Sequence, residues 1–403
     1  MLTKPADKLY CGVDEEKIKN ANPVLNDEVC KFHNLYIFER HNIYKKKEIL
    51  KLPQPWTDDE VLQRFRFTNV RRELDRESVW LIENISKNEC LTTEEKVLWS
   101  ILFRVWNKSS TLEILQLPQA LSILDFGEDE IDEMRKFVNE YSKENPKYVW
   151  FTSAFIMGGT KQAWGFPKNL DMGSDRYDIP ATKEEKYEVI DADGKLIKKT
   201  SLKEAREMTK DSDTLFIKGR ENCMPVRMMW LVKYARDKKI HERALTAETQ
   251  EDVFNMLLEV PGLSAFLAYQ IFVDLTYIPE YKFSENEFTI SGPGCNRGLN
   301  LLFDDRDGLT DEELLFWVRN NIIEEWEKRG LETDLESLFD HLPEYDRGLN
   351  VMMLENSFCE CQKLVKAKTG SGRPRNTYKP TNKPMAGEEA QPVATCNPNL
   401  EDW

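Results

Sequence analysis

The stretch RFRFTNVRREL, residues 64–74, concentrates side chains that suit phosphate chemistry. It holds four arginines, two phenylalanines, one asparagine and one glutamate. Guanidinium groups bind phosphate oxygens through paired hydrogen bonds, and a carboxylate can accept a proton. Residues 40–76 contain ten Lys or Arg and six Asp or Glu. Residues 363–379 contain six Lys or Arg and no Asp or Glu, although the whole chain has a net charge of −15. Such basic islands suit phosphate binding, although ordinary solvated faces would look the same.

A second candidate is the segment FNMLLEVPGLSAFLAYQIFVDLTY, residues 254–277. Two apolar helical segments flank a turn in which Pro261 ends the first helix and Gly262 permits a tight bend. The pattern resembles a helix-hairpin-helix, in which backbone amides at the start of the second helix, near Ser264, bind a DNA phosphate. A plain pair of core helices joined by Pro-Gly explains the same pattern.

Acidic residues around this segment are candidates for catalysis. Asp274 has apolar neighbours, which raise the pKa of a carboxyl group, but it could equally cap a helix or pair structurally. Hairpin DNA glycosylases carry a Schiff-base lysine where this chain has Phe266, so a lyase mechanism is disfavoured and one that uses a carboxylate and water stays open. Their catalytic aspartate corresponds to the neighbourhood FSENEF, which contains Glu285 and Glu287.

The segment ISGPGCNRGLNLLF, residues 290–303, is a third candidate. Gly292 and Gly294 make a turn in which backbone amides, Asn296 and the guanidinium of Arg297 can converge on a phosphate or an extruded base. The turn lacks the Gly-Lys-Ser/Thr ending of a Walker loop, so a P-loop kinase is rejected. Glycine-rich turns are also common connectors.

The elements that must position these residues are mostly helices. Capping-box patterns at TDDE (57–60), at TTEE (92–95) and at Thr310 with Glu313 predict helix starts. The helix that begins near Thr57 is expected to break near Thr68, because its arginines cannot share one face. The sequence KYEVIDADGKLIKK, with its Asp193-Gly194 turn, predicts a β-hairpin inserted in a helical protein.

The sequence argues against several other classes of protein. Paired Cys-x2-Cys or His-x3-His spacing is absent, so no protein-held metal is expected, although a pyrophosphate substrate would bring Mg²⁺ with it. No apolar run approaches the roughly 20 residues of a membrane span, and the N-terminus lacks the apolar stretch of a signal peptide. A cytoplasmic protein without a membrane partner is the expectation.

We therefore predict a mainly α-helical fold in three regions. Residues 24–150 form an N-terminal helical region with the Arg/Asn cluster. Residues 151–368 form a C-terminal helical region with the helix-hairpin-helix and the Gly-Pro-Gly turn, and the active site is expected between these regions. Residues 369–403 form a mobile tail rich in Pro, Gly and basic residues, of which Arg373 and Arg375 are expected to contact nucleic acid.

Four motifs together resemble one family, the DNA base hypermodification proteins, also called alpha-glutamyl/putrescinyl thymine pyrophosphorylases. The helical domain of that family recurs beside the 5-hydroxymethyluracil DNA kinases. The motifs are PQPWTDDEVLQRFRFTNVRRELDR (53–76), FIMGG (155–159), the Pro-Gly hairpin with AYQIFVDLTY (268–277), and GPGCNRGL (292–299). Their order and spacing are more specific than any one of them.

The resemblance implies a helix-hairpin-helix DNA glycosylase-like scaffold that acts on a thymine-derived base in phage DNA. In the implied reaction, an amino acid or polyamine displaces pyrophosphate from 5-(pyrophosphoryloxymethyl)uracil. Arginines would stabilise the leaving anion, and a carboxylate would deprotonate the amine. The residues that the resemblance singles out as substrate-binding or catalytic are Arg66, Phe67, Asn69, Arg71, Arg72, Glu73 and Asp75.

Two other functions use the same features. A monofunctional DNA glycosylase would excise a modified base, with Asp274 or Glu287 stabilising the oxocarbenium-like sugar. A non-catalytic reader of modified DNA is the third possibility, which the acids in FTNVRRELDR argue against. Both catalytic functions require the base to leave the helical stack. For the cluster itself, a structural salt bridge of Arg71 or Arg72 with Asp75 is the main competing interpretation.

Overall fold

The structure, a computed structural model, describes residues 12–145, 187–191, 195–200, 215–218, 224–260 and 263–372, with a few single positions between and after them. It is mainly helical, as predicted. The α-helices, in chain order, are α1 Glu15–Asn20, α2 Asp27–Tyr44, α3 Glu60–Arg64, α4 Arg76–Leu81, α5 Thr93–Trp106, α6 Ser109–Ile114, α7 Glu128–Glu144, α8 Met224–Asp237, α9 Ile240–Thr246, α10 Gln250–Leu258, α11 Ala265–Leu275, α12 Pro293–Leu302, α13 Asp311–Lys328, α14 Leu335–Leu338 and α15 Val351–Lys368.

The short strands form two small antiparallel sheets. The predicted hairpin is confirmed, because β2 (Tyr187–Asp191) pairs with β3 (Leu196–Thr200), although its turn at 192–194 lies outside the described residues. A third strand, β4 (Leu215–Lys218), pairs with the other edge of β2 and was not predicted. The second sheet joins β1 (Val24–Leu25) to β5 (Phe303–Asp305).

The chain divides into two compact units. One is built around Cys90–Ala247 and Asp252–Ile271, and the other around Tyr10–Glu89, Glu248–Glu251 and Phe272–Trp403. In the second unit, apolar side chains of α2, α12, α13 and α15 form a continuous core. This second unit carries most of the candidate site residues.

Helix starts follow local capping signals in two of three cases. Thr92 and Thr310 each cap a helix in a complete capping box, as predicted. The prediction of a cap at Thr57 is wrong, because Asp59 accepts hydrogen bonds from the amides of Val61 and Leu62. Thr57 instead donates its hydroxyl proton to Glu39, 2.7 Å away. Side chains of both types can cap a helix, so a tertiary hydrogen bond decides between them.

The helix of the arginine stretch ends earlier than expected. It stops at Arg64, four residues before the predicted break at Thr68, and the chain continues in extended form. This early ending lets Phe65 form an isolated antiparallel bridge with Thr377, at the start of the predicted tail. The first residues of that segment therefore pack on the protein itself.

A close approach of α12 and α15 fixes the Gly-Pro-Gly turn. A methyl group on Gly294 would overlap the side chain of Cys359, and one on Gly298 would overlap the carbonyl of Phe358. Glycine is thus required at both positions for steric reasons. The helix pair predicted around Pro261 and Gly262 is present as α10 and α11, but these two residues lie outside the described part of the chain.

Candidate functional site

The segment from Phe65 to Asp75 is held by its own side chains. The amide group of Asn69 donates to the carbonyl oxygen of Leu74 at 2.7 Å, and its backbone N–H donates to Asp75 Oδ1 at 3.0 Å. A single 3-10 turn, Arg72–Leu74, then leads into α4. Asn69 is buried in these contacts, so its position is that of a residue that shapes the loop.

Arg71 is buried between two carboxylates, with 1% of its side chain exposed. Its Nε lies 2.5 Å from Glu73 Oε1, one terminal nitrogen lies 2.5 Å from Asp346 Oδ1, and the other donates to the Asp346 carbonyl at 2.8 Å. Burial alone would lower the pKa of Arg71, but these carboxylates raise it above its ordinary value. Arg71 and Glu73 therefore occupy an internal ion-pair network rather than an open phosphate site.

Arg72 points to a different set of carboxyl groups. Its guanidinium lies 3.4 Å from Asp274 Oδ1, with 11% of the Arg72 side chain and none of the Asp274 side chain exposed. Asp274 comes from the last turn of α11. Arg72 also lies close enough to Glu285 and Glu355 to lower the pKa of both. We call these four residues and Tyr277 the Arg72 cluster.

Two carboxyl groups of the Arg72 cluster titrate near neutral pH. Burial raises the pKa of Glu285 to about 8, with a further contribution from Glu73, although Arg71 opposes the shift. Burial likewise raises the pKa of Glu355 to about 7. Each group keeps one fixed hydrogen bond: Asn350 Nδ2 donates to Glu285 at 3.0 Å, and the N–H of Gly292 donates to Glu355 at 3.2 Å. Carboxyl groups of this kind suit proton transfer at neutral pH.

Tyr277 adds a polar group that the protein leaves unsatisfied. Its hydroxyl is buried and has no hydrogen-bond partner among the described residues. Burial raises the pKa of Tyr277, and the charges of Glu285, Arg72 and Asp274 act on it. A buried hydroxyl without a partner is uncommon, because it loses its bonds to water. The cluster thus offers one donor to a bound ligand.

A neighbouring group of charges includes Asp75. Burial raises the pKa of Asp75 to about 6, while Arg40 and Arg72 lower it. Arg40 Nε donates to the Phe67 carbonyl at 3.3 Å, which ties α2 to the extended segment. Arg72 therefore lies between the carboxyl group of Asp75 and those of the Arg72 cluster.

The other residues predicted for substrate binding are more dispersed. Phe67 is buried against Tyr36, with ring centroids 6.3 Å apart, so it packs in the core. Arg66 and Arg297 are exposed, and Asn296 donates to Asp311 at 2.7 Å. Gly292 is the N-cap of α12 and reaches the cluster through its bond to Glu355.

The remaining predicted residues make local contacts of their own or lie outside the described residues. Glu287 is exposed and accepts a hydrogen bond from the Ser284 amide at 2.7 Å. Ser264 is exposed just before α11, where its hydroxyl accepts from the Leu267 amide at 3.4 Å. The residues outside the described part are Pro261, Gly262, Arg373, Arg375 and the FIMGG motif at 155–159.

The sequence prediction missed several members of this site. The sequence points to the neighbourhood of Glu285 without giving that residue a role, and it assigns none to Glu355, Asp346, Asn350 and Tyr277. A signal exists for Glu355, because it directly follows the four apolar residues VMML (351–354) at the start of α15. A buried acid beside such a run needs a partner or a function.

The described residues show neither a metal site nor a membrane-spanning helix. They contain no group of three or more His, Cys, Asp or Glu side chains arranged to hold a metal ion. In the same part of the chain, no helix combines the length and apolar character needed to span a bilayer.

Comparison with known proteins agrees with the predicted resemblance. The family model described as "5-hmdU DNA kinase, helical domain" matches residues 27–373. A 5-hmdU DNA kinase of Bacillus phage SP10 is 22% identical over 382 residues, which cover 89% of this chain and 48% of that protein. The chain thus spans about half the length of this curated relative. No solved structure matches.

Proposed function

This chain belongs to the family of the 5-hmdU DNA kinase helical domain, and from that premise we propose that it is a DNA-modifying enzyme that acts on a thymine-derived base. Its relative from Bacillus phage SP10 is named for phosphorylating such a base in DNA. The present sequence contains no Gly-x4-Gly-Lys-Ser/Thr motif. We therefore assign these residues a step other than P-loop phosphoryl transfer.

The proposed step is the displacement of pyrophosphate from 5-(pyrophosphoryloxymethyl)uracil in DNA by an amino acid or polyamine. The lone pair of the amine nitrogen forms a bond to the exocyclic methylene carbon. The bond from that carbon to oxygen breaks, and its electron pair leaves with pyrophosphate. One proton of the attacking nitrogen passes to a carboxylate of the protein. Mg²⁺ would enter as part of the pyrophosphate substrate.

The observation that carries this proposal is the Arg72 cluster. An amine must lose a proton to react, and the carboxyl group of Glu285, with its pKa at about 8, is matched to that transfer near neutral pH. The guanidinium of Arg72, which Asp274 holds at 3.4 Å, would stabilise the charge of the departing pyrophosphate. Asp274 orients Arg72, and Tyr277 supplies a hydroxyl donor.

The substrate base has to leave the DNA stack to reach such a site, because a paired base does not expose its methylene group to a buried carboxylate. Asn69 and Arg71 then act indirectly, by holding the loop that presents Arg72. In this proposal Arg72 contacts the substrate, whereas Asn69 and Arg71 are positioning residues.

The test is mass spectrometry of nucleosides after incubation of the protein with DNA that carries 5-(pyrophosphoryloxymethyl)uracil and a panel of amines. A heavier nucleoside together with released pyrophosphate is expected, and the added mass identifies the amine. Arg72→Gln and Glu285→Gln should each abolish the product. Glu89→Gln, which removes an exposed carboxylate, should not.

Other products would contradict the proposed reaction in distinct ways. Free modified base with abasic sites would show a glycosylase. A phosphorylated base formed from ATP and hydroxymethyluracil DNA would show that these residues carry kinase activity. Binding of modified DNA without any product, over the whole panel of amines, would favour the reader.

A further inference from the structure

The two basic islands of the sequence meet on one surface. The start of the tail pairs with the arginine stretch, through the bridge between Phe65 and Thr377 and a hydrogen bond of 2.9 Å from the Tyr378 amide to the Arg64 carbonyl. An ion pair between Lys368 and Asp59 joins the same two segments. Residues about 300 positions apart are therefore neighbours here.

Two half-exposed aromatic rings lie at this junction. The rings of Trp56 and Tyr378 have centroids 6.1 Å apart and planes at 79°. Two hydrogen bonds fix Trp56. Its Nε1 donates to the Leu52 carbonyl at 2.7 Å, and the Lys46 ammonium donates to the carbonyl of Trp56 at 2.9 Å. The Lys47 ammonium lies 5.9 Å from the Trp56 ring centroid. The rings are thus held in place at a partly exposed and basic position.

The surroundings combine exposed cationic and apolar groups, beside the acidic residues Asp58, Asp59 and Glu60. Arg64 and Arg66 are exposed, and neither has a carboxylate partner among the described residues. Leu50 and Leu52 are exposed by 58% and 46%. In a chain of net charge −15, such a local surface is complementary to a polyanion that also offers flat apolar groups.

We propose that the surface formed by Leu52, Trp56, Arg64, Arg66 and Tyr378 binds an unpaired strand of DNA. The bases stack on the two aromatic rings, and the arginines contact the phosphates. An unpaired strand fits better than a duplex, because paired bases hide their faces from aromatic side chains. The proposal rests on the proposed function for its relevance, since a target base must lose its pairing before it can be extruded.

The test is fluorescence anisotropy of a labelled oligothymidylate titrated with the full chain. Trp56→Ala and Tyr378→Ala should each weaken binding about tenfold, as expected for the loss of one stacked base. Trp56→Phe and Tyr378→Phe should retain most of the affinity, because a ring remains. Arg64→Gln combined with Arg66→Gln should reduce the slope of log K against log salt by about 1.4, at about 0.7 per lost phosphate contact on single strands.

Matched controls separate this surface from general effects. Phe137→Ala removes an exposed aromatic ring, and Arg243→Gln removes an exposed arginine, both from the other compact unit, and neither should change the binding. Circular dichroism would confirm that each variant is folded.

Two outcomes would overturn the proposal. One is unchanged oligothymidylate binding in both alanine variants. The other is a preference of the wild-type protein for the matched duplex. Because the assay uses unmodified DNA and no amine, its result is independent of the transfer reaction. Loss of product with intact binding would point to a failure of the proposed function alone.

Discussion

Replacing Glu355 with glutamine should stabilise the protein at alkaline pH and change little at acidic pH. The ordinary pKa of 4.5 becomes about 7 in the folded state, because the group is buried. A raised carboxyl pKa means that the folded state binds the proton more tightly, so stability is lost as the pH rises from the ordinary value to the folded value. At about 1.36 kcal/mol per pH unit, the ionised group costs about 3 kcal/mol at pH 8.

Glutamine removes this cost and keeps an oxygen that can accept the Gly292 amide. The expected gain in unfolding free energy is about 3 kcal/mol at pH 8 and under about 1 kcal/mol at pH 5, where the folded Glu355 is already neutral. Urea unfolding followed by circular dichroism at both pH values measures it. Glu89→Gln, at an exposed carboxylate, should shift neither midpoint.

An equal effect at both pH values would refute the reasoning, and so would destabilisation at pH 8. An equal effect would mean that folding does not shift the pKa of Glu355. Destabilisation would mean that the attraction of Arg72 outweighs burial, and that Glu355 is an ion-pair partner rather than a proton-binding group. A gain in stability combined with a loss of the transfer product would instead indicate a group retained for activity at the expense of stability.

Three further predictions concern activity and packing. The rate of product formation should rise with pH and level off above about 8, as Glu285 loses its proton; Glu287→Gln should preserve this rate-pH profile, whereas Glu285→Gln should form no product at any pH. Gly298→Ala should lower the unfolding free energy measured by urea titration by about 1–3 kcal/mol through steric overlap, and Gly348→Ala, where a methyl group meets open space, should not. Arg71→Ala should cost about 3–5 kcal/mol by leaving buried carboxylates unpaired, and a thermal midpoint equal to that of wild type would contradict the network.

The sequence predicts correctly those helix starts that are determined by residues close together in the chain. Thr92 and Thr310 mark helix starts because each cap and its glutamate lie within one turn. The same rule fails at Thr57, because its hydroxyl bonds to Glu39 on α2 instead. Strand β4 escaped prediction because a four-residue strand gains its stability from its remote partner β2.

The candidate site shows the same limit. Arg72 and Asp274 could be named from local composition, but nothing local indicates that they lie 3.4 Å apart. Asn350 and Glu285 are 65 positions apart and meet only through the tertiary fold. Composition also suggested a binding role for Arg71, whereas its partners show that it is buried among carboxylates. The sequence predicted that arginines and carboxylates form the site. It did not predict which arginine has a structural role and which has a chemical one.

The ion pair between Arg71 and Asp346 can form only after both residues have been synthesised. Asp346 follows Arg71 275 residues later in the chain. At roughly 5–20 residues per second, the ribosome needs about 14–55 s to deliver that partner. During this interval the guanidinium cannot be buried as it is in the finished protein, so the segment around it stays accessible to chaperones and proteases. Maturation of the second unit therefore has to wait for translation of the residues that follow α14.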